Sequence, residues 1–186
     1  MKIEDQSVIP AARSIKDFEM LLDMSFKYII FLDVHIAQLV YLRRQARDFG
    51  KKLVLHADLV QGLQHDESAA QFLCQVIKPA GLISTHSKVI ATAKKHDIMS
   101  IHRIFLIDSH SLETSYRVMK SSEPDYIEVL PGMMPRLVQE VAVAANRPVL
   151  AGGFIRTTED VNTLLSHGAA AITTSSKDIW RKFRPD

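Results

Sequence analysis

The chain has 186 residues, 47% of them hydrophobic and 24% charged, and carries a formal net charge of +2. That length and apolar content suffice for one domain with a sizeable core and exclude a disordered chain. The near-neutral charge excludes a global attraction to nucleic acid or anionic membrane, so either contact would need a local patch.

Short apolar runs alternate with amphipathic stretches along the whole chain. Ser7–Ala12 reads as the first strand and Ile15–Met24 as the first helix. Tyr28–Asp33 is nearly all apolar until Asp33, as a strand buried on both faces should be. In Ile36–Phe49, residues Leu39, Leu42, Ala46 and Phe49 share a helical face, and Gly50 stops it. Leu53–Asp58 is the third strand, followed by the longest connection. Then come helix Ser68–Ile77, strand Ala80–Thr85, helix Ser87–His96, strand Met99–Asp108, helix Leu112–Ser121, strand Tyr126–Leu130 and helix Pro135–Ala145.

The last third is the most informative. Pro148–Ala151 is a strand ending in Gly152 and Gly153, where no Cβ blocks the approach of a ligand to the backbone. Thr157 reads as a helix N-cap, with Glu159 and Asp160 suited to the helix dipole. Gly168 ends that helix, and strand Ala169–Ile172 runs into Thr173, Thr174, Ser175 and Ser176 before the final helix Lys177–Phe183. Two successive βα turns thus present N–H groups and hydroxyls at the same end of neighbouring parallel strands. Barrels of eight βα units place a phosphate site there.

Eight βα pairs without a linker or inserted domain predict an α/β fold, a small (β/α)8 TIM barrel with minimal loops over residues 1–186. An open doubly wound sheet would want a glycine-rich fingerprint after the first strand, and VIPAARS has none. Cys74 is the only cysteine, so no disulfide within the chain is possible. A reducing compartment fits. Lys2, Glu4 and Asp5 stand where a signal peptide needs an apolar core, and no apolar run approaches the ~20 residues of a membrane span. A soluble cytoplasmic protein is the expectation.

In such a barrel, chemistry sits where strands end. Those ends hold Arg13, Asp33, His56, Asp58, Ser84, Thr85, Asp108 and Glu128. Glu128 lies among apolar neighbours in YIEVLPG and Arg103 among those of HRIFLID. A buried ion pair between adjacent strands would satisfy both without any function. Asp58 and His56 stand at i and i+2 and should share a strand face. His35, His56, His86 and His110 lie near strand ends beside aspartates, yet no HxxxH or HExxH spacing holds two metal ligands in register. A Schiff-base aldolase needs a lysine on an inner strand face, and no strand supplies one. An isomerase would pair Glu128 with His86, but the loop LPGMMP after Glu128 is short for a closing lid.

The stretches PAARSIKDFE, HADLVQGL, GLISTHS, HRIFLIDSHSLE, PDYIEVLPGMMPRLV, LAGGFIRTTEDV and ITTSSKDIW run in order from residue 10 to 180. Through them the sequence resembles the glycerol-3-phosphate-responsive antiterminators. The resemblance implies a phosphate-binding barrel that is not an enzyme and uses no cofactor. It implies glycerol 3-phosphate as effector and the leader mRNA of glycerol-catabolic genes as partner, with read-through of a terminator and stabilisation of the transcript. It places the phosphate at Gly152, Gly153, Thr174, Ser175 and Ser176. A Gly-Ser pair is usual after the last strand of phosphate-binding barrels, and here Thr174-Ser175 stands instead. Asp58 and Glu128 are the candidates for the polyol end, since hydroxyls need acceptors and an ionised carboxylate supplies only acceptors.

Two basic clusters are candidates for RNA phosphates: Arg43 and Arg47 with Arg44 and Lys51 on the second helix, and Lys177, Arg181 and Lys182 with Arg184 at the end of the chain. A solvated outer helix face would carry the same charges, and no aromatic residues interleave with them to stack bases. Assembly with further copies of the chain is left open. The alternative reading is a small sugar-phosphate isomerase or aldolase-like enzyme, which rests on fold-level analogy.

Overall fold

The structure, a computed structural model, describes residues 2–185. The outermost residues of the 1–186 domain, Met1 and Asp186, therefore lie outside the described residues. The barrel strands are β1 (Val8–Ala12), β2 (Tyr28–Phe31), β3 (Lys52–His56), β4 (Gly81–Ser84), β5 (Met99–Phe105), β6 (Tyr126–Leu130), β7 (Val149–Gly152) and β8 (Ala169–Thr174). Each is followed by a helix: α1 (Ile15–Leu22), α2 (Leu39–Asp48), α3 (Glu67–Phe72), α4 (Ser87–Lys95), α5 (Ser109–Ser122), α6 (Pro135–Ala145), α7 (Thr158–Ser166) and α8 (Lys177–Lys182). All strand pairs are parallel, neighbours in sequence are neighbours in space, and β8 closes on β1 through Val8 opposite Ile172. This is a (β/α)8 barrel.

The burial pattern follows from closure. A strand covered by helices outside and by other strands' side chains inside has no wet face, so its sequence is apolar throughout rather than alternating. In β2, Ile30 joins Ile9, Val54, Ile83, Ile101, Leu150 and Ala171 in the barrel interior. Ile29 and Phe31 instead pack against the helix layer with Phe18, Leu39 and Leu42. Near the amino-terminal ends of the strands the chain closes the barrel itself. Ile3 joins the interior cluster, and buried Gln6 bridges β1 and β2. Its Nε2 donates to the carbonyls of Val8 and Tyr28, while its Oε1 accepts from the backbone N–H groups of Lys27 and Tyr28.

Element boundaries moved where a capping side chain or an irregular turn took over. The fifth strand stops at Phe105, because Asp108 serves as the N-cap of α5, accepting from Ser111 N at 2.7 Å. The expected helix 68–77 splits: α3 ends at Phe72 and a π turn, Leu73–Ile77, completes it. The long connection after β3 is not loose, since residues 60–61 pair in parallel with residues 34–35. Gln61 Nε2 also donates to Asp33 Oδ1 at 2.8 Å. The last strand runs through Thr174, two residues further than the apolar run suggests, so Thr173 and Thr174 are strand residues.

Candidate functional site at the carboxyl ends of the strands

At the carboxyl end of the barrel a cavity of about 360 Å³ opens between β1, β8, β7 and β6. Its volume lies within the range of small-molecule sites. Arg13, Arg103, Glu128, Gly153, Phe154, Arg156 and the run Thr173–Ser176 line it, with Leu32, Leu59 and Leu130 among the apolar walls. Three arginines, one glutamate and four hydroxyl-bearing residues thus share the walls of a small space.

The floor is an ordered polar network. Arg103 and Glu128 are register partners on β5 and β6. Arg103 Nε meets Glu128 Oε2 at 2.7 Å with side-chain exposures of 11% and 1%, so the pair is withdrawn from bulk water. Thr173 donates its hydroxyl to Glu128 Oε1 at 2.7 Å. The buried ion pair weighed from sequence is therefore present, and it lies at the cavity rather than away from it. Glycine at 152 is what lets this network form. A Cβ there would stand 2.2 Å from Thr173 Oγ1 and 3.3 Å from Glu128 Oε1. Gly152 backs the site and does not line it.

The two turns differ in what they leave for a ligand. Gly153 has φ +82° and Phe154 φ +59°, so the chain leaves β7 through two left-handed residues. Phenylalanine in that region is a strained placement of the kind that persists where the surroundings fix it. The capping box of α7 closes this turn, with Asp160 N donating to Thr157 Oγ1 and the N–H groups of Arg156 and Thr157 donating to Asp160 Oδ2. Those bonds hold the Asp160 carboxyl below its ordinary value. After β8, Ser176 N donates to Thr174 Oγ1 at 3.1 Å, and Trp180 Nε1 donates to the Thr174 carbonyl at 2.8 Å. Buried Trp180 thereby fixes the start of α8 against the strand it follows. Ser176 N is thus engaged within the turn, while the Thr174 hydroxyl keeps its own proton to donate.

Asp58 is placed differently from the expectation. The strand ends at His56, and Asp58 sits in the 3-10 turn Ala57–Leu59, outside the cavity lining. Its carboxylate accepts from Ser84 Oγ, from Thr85 N at 2.7 Å and from Thr85 Oγ1 at 2.8 Å. Burial alone would raise this carboxyl, but those hydrogen bonds outweigh it and the result is a lowered pKa. Asp58 therefore staples the turn after β3 to the turn after β4. His56 does not act beside it: the ring is buried, its Nδ1 has no hydrogen-bond partner, and burial, with the Arg103 charge, lowers its pKa to about 4. Among the described residues no group of three or more His, Cys, Asp or Glu side chains is placed to hold a metal ion.

The basic candidates separate to different places. Lys177 is tied to Asp17 of α1 at 2.6 Å and Arg181 to Asp178 at 3.0 Å, which leaves Lys182 exposed beside them. Arg43 and Arg47 line a second cavity at the opposite end of the barrel. Sequence reasoning did not pick out Arg156 or Phe154 as part of the site. Arg156 follows the glycine pair by three residues, a signal that was present, whereas the positive φ of Phe154 has no counterpart in its residue type. Among the described residues no helix is long and apolar enough to cross a membrane.

Comparison with known proteins agrees with this architecture. A glycerol uptake operon antiterminator regulatory protein from Listeria monocytogenes has the same structure at a TM-score of 0.95 and 43% identity, covering 97% of this chain and 98% of that one. A glycerol uptake operon antiterminator-related protein from Thermotoga maritima superposes at a TM-score of 0.83 with 28% identity over 95% and 98% of the two chains. An uncharacterised protein of Escherichia coli K12, YgcP, is 29% identical over 96% of this chain and 93% of its own. Deoxyribose phosphate aldolases share the barrel more distantly, at 19% identity and a TM-score of 0.69 for that of Aeropyrum pernix, a likeness that shows the fold alone. The family model of the glycerol-3-phosphate responsive antiterminators matches residues 8–180, and the chain belongs to that family.

Proposed function

We propose that this protein is a regulator rather than an enzyme. In this reading it senses glycerol 3-phosphate in the carboxyl-end cavity and binds the leader of a glycerol-catabolic transcript, so that transcription passes a terminator and the transcript is stabilised. The observation that carries the effector reading is the make-up of that cavity: Arg13, Arg103 and Arg156 beside the hydroxyls of Thr174, Ser175 and Ser176. Guanidinium groups and hydroxyl donors suit a phosphate dianion. Glu128 has acceptor capacity beyond the two bonds it makes and takes the glycerol hydroxyls; Asp58, spent on its neighbouring turn, does not take part. The regulatory reading comes from the family.

The enzyme alternative asks for groups the cavity does not offer. Among the described residues no lysine lines it, so a Schiff base would have no side-chain amine there. Glu128 as a base would lose, on taking up a proton, the charge that pairs with buried Arg103. The decisive experiment is an RNA-binding titration with the leader transcript, with and without glycerol 3-phosphate, alongside an assay for turnover of triose and pentose phosphates. The expected result is RNA binding that glycerol 3-phosphate strengthens, and no turnover. Turnover of a sugar phosphate, with RNA affinity indifferent to saturating glycerol 3-phosphate, would replace the regulator by the enzyme.

A further inference from the structure

We infer that RNA is held at the amino-terminal end of the barrel, in the cavity between α2 and the starts of β2, β3 and β4. This rests on the antiterminator reading above and assigns that reading its nucleic-acid surface. Six cationic residues line the cavity: Lys27, Arg43, Arg47, Lys51, Lys52 and Lys78. Among the described residues, no carboxylate and no aromatic side chain lines it. In a chain whose net charge is only +2, this is a local concentration of one sign within a concave surface, the geometry that focuses potential onto an anionic partner.

The fold leaves most of that charge uncompensated. Arg47 pairs with Asp48 at 2.9 Å, and the Lys51 ammonium donates to the Met24 carbonyl. Lys27, Arg43, Lys52 and Lys78 make no ion pair among the described residues. Burial and the neighbouring Lys27 charge lower the Lys51 pKa, against a weaker opposing pull from Asp23, which does not line the cavity. Lys78 holds φ +52°, a left-handed position where glycine would be cheaper, so a cation stands there against backbone preference. In the C-terminal cluster, by contrast, both Lys177 and Arg181 are paired with aspartates, which leaves Lys182 beside them.

The partner's chemistry follows from the number and kind of groups. A phosphate monoester carries at most two charges and is over-matched by six cations spread over one helix and three strand ends. A polymer with a charge on every unit is not. Arg43 and Arg47 lie about one helical turn apart, about 6 Å along the axis, which lets them meet successive phosphates. With no aromatic platform and no carboxylate to read base edges, the cavity grips the backbone, and any choice of sequence has to come from elsewhere.

The test compares the wild-type chain, the variant Arg43→Gln/Lys78→Gly and the variant Arg181→Gln/Lys182→Gln. Glycine at 78 accepts the left-handed backbone, and both arginine and lysine replacements are at exposed positions. Binding to the leader transcript and to a scrambled RNA of equal length is followed across a salt series, with glycerol 3-phosphate affinity by calorimetry as the check on folding. The cavity variant is expected to lose at least tenfold in affinity for both RNAs, and the slope of log affinity against log salt should fall by about 1.4 for two lost contacts to a single strand. Glycerol 3-phosphate affinity and the C-terminal variant should stay within twofold of wild type. Wild-type RNA binding with an unchanged affinity and slope in the cavity variant overturns this assignment and leaves the antiterminator reading standing. A wild-type chain that binds neither RNA at any salt overturns both.

Discussion

Glu128 illustrates how a single residue can serve the fold and the site at once. It is 1% exposed and accepts from Arg103 Nε and Thr173 Oγ1. Glu128→Gln replaces one acceptor oxygen by an amide that must face either Arg103 or Thr173, leaving a buried cation poorly compensated. Breaking a buried pair from one side costs about 3–5 kcal/mol, so urea denaturation should show a loss of that order, together with weaker glycerol 3-phosphate binding. A variant of wild-type stability would mean that water reaches Arg103 and replaces the carboxylate. His56 gives a second prediction. Its folded pKa is about 4 against 6.5 for the ordinary group. Above pH 6.5 both folded and unfolded chains hold it neutral and it contributes nothing. As pH falls from 6.5 towards 4 the unfolded chain takes up a proton that the folded chain refuses, and stability drops by about 3 kcal/mol in all. His102 adds loss of the same sign, since burial lowers its pKa as well. Urea midpoints measured between pH 4 and 7.5 should therefore decline more gently in His56→Asn than in wild type. Parallel profiles would show that His56 already binds a proton in the folded chain.

At the scale of elements, the sequence announced what local chemistry dictates and concealed what the tertiary contacts decide. Thr157 is readable as an N-cap because the residue type and its position are themselves the mechanism, and the structure adds Asp160, expected only to suit the helix dipole, as the return half of a capping box. The glycine pair after β7 was readable for the same reason, but the two glycines turned out to have separate tasks. Gly152 makes room for Thr173, and only Gly153 needs a positive φ. A valine at 153 would be strained at φ +82° whether or not a ligand binds, so it is a poor probe of the phosphate site. Asp58 shows the limit. One extra turn of 3-10 helix after His56 rotates it from the expected shared face towards Ser84 and Thr85, and nothing in HADL announces that turn. The pairing of residues 34–35 with 60–61 was equally hidden, because two-residue ladders carry no periodicity to read.

At the scale of the whole molecule, the two cationic cavities lie at opposite ends of one closed barrel, and the proposed effector and RNA are assigned one to each. Binding of glycerol 3-phosphate to the folded chain alone stabilises it by RT ln(1 + [L]/Kd), about 2.7 kcal/mol at a hundred times Kd. In a chain of this length each kcal/mol moves the melting midpoint by roughly 2–4 °C, so saturating effector should raise it by about 5–11 °C. Inorganic phosphate at the same concentration should raise it less, since it lacks the hydroxyls that Glu128 would accept. If the effector also strengthens RNA binding, the effect is reciprocal whatever route connects the two ends: RNA must tighten glycerol 3-phosphate by the same factor, typically 5–150-fold. Calorimetric titration of the effector with and without a saturating leader transcript measures one side of that cycle, and RNA titration with and without effector measures the other. Equal factors above unity establish that the protein couples effector to RNA. Factors of unity on both sides, with the melting shift intact, would show a barrel that binds the effector without passing that information to RNA.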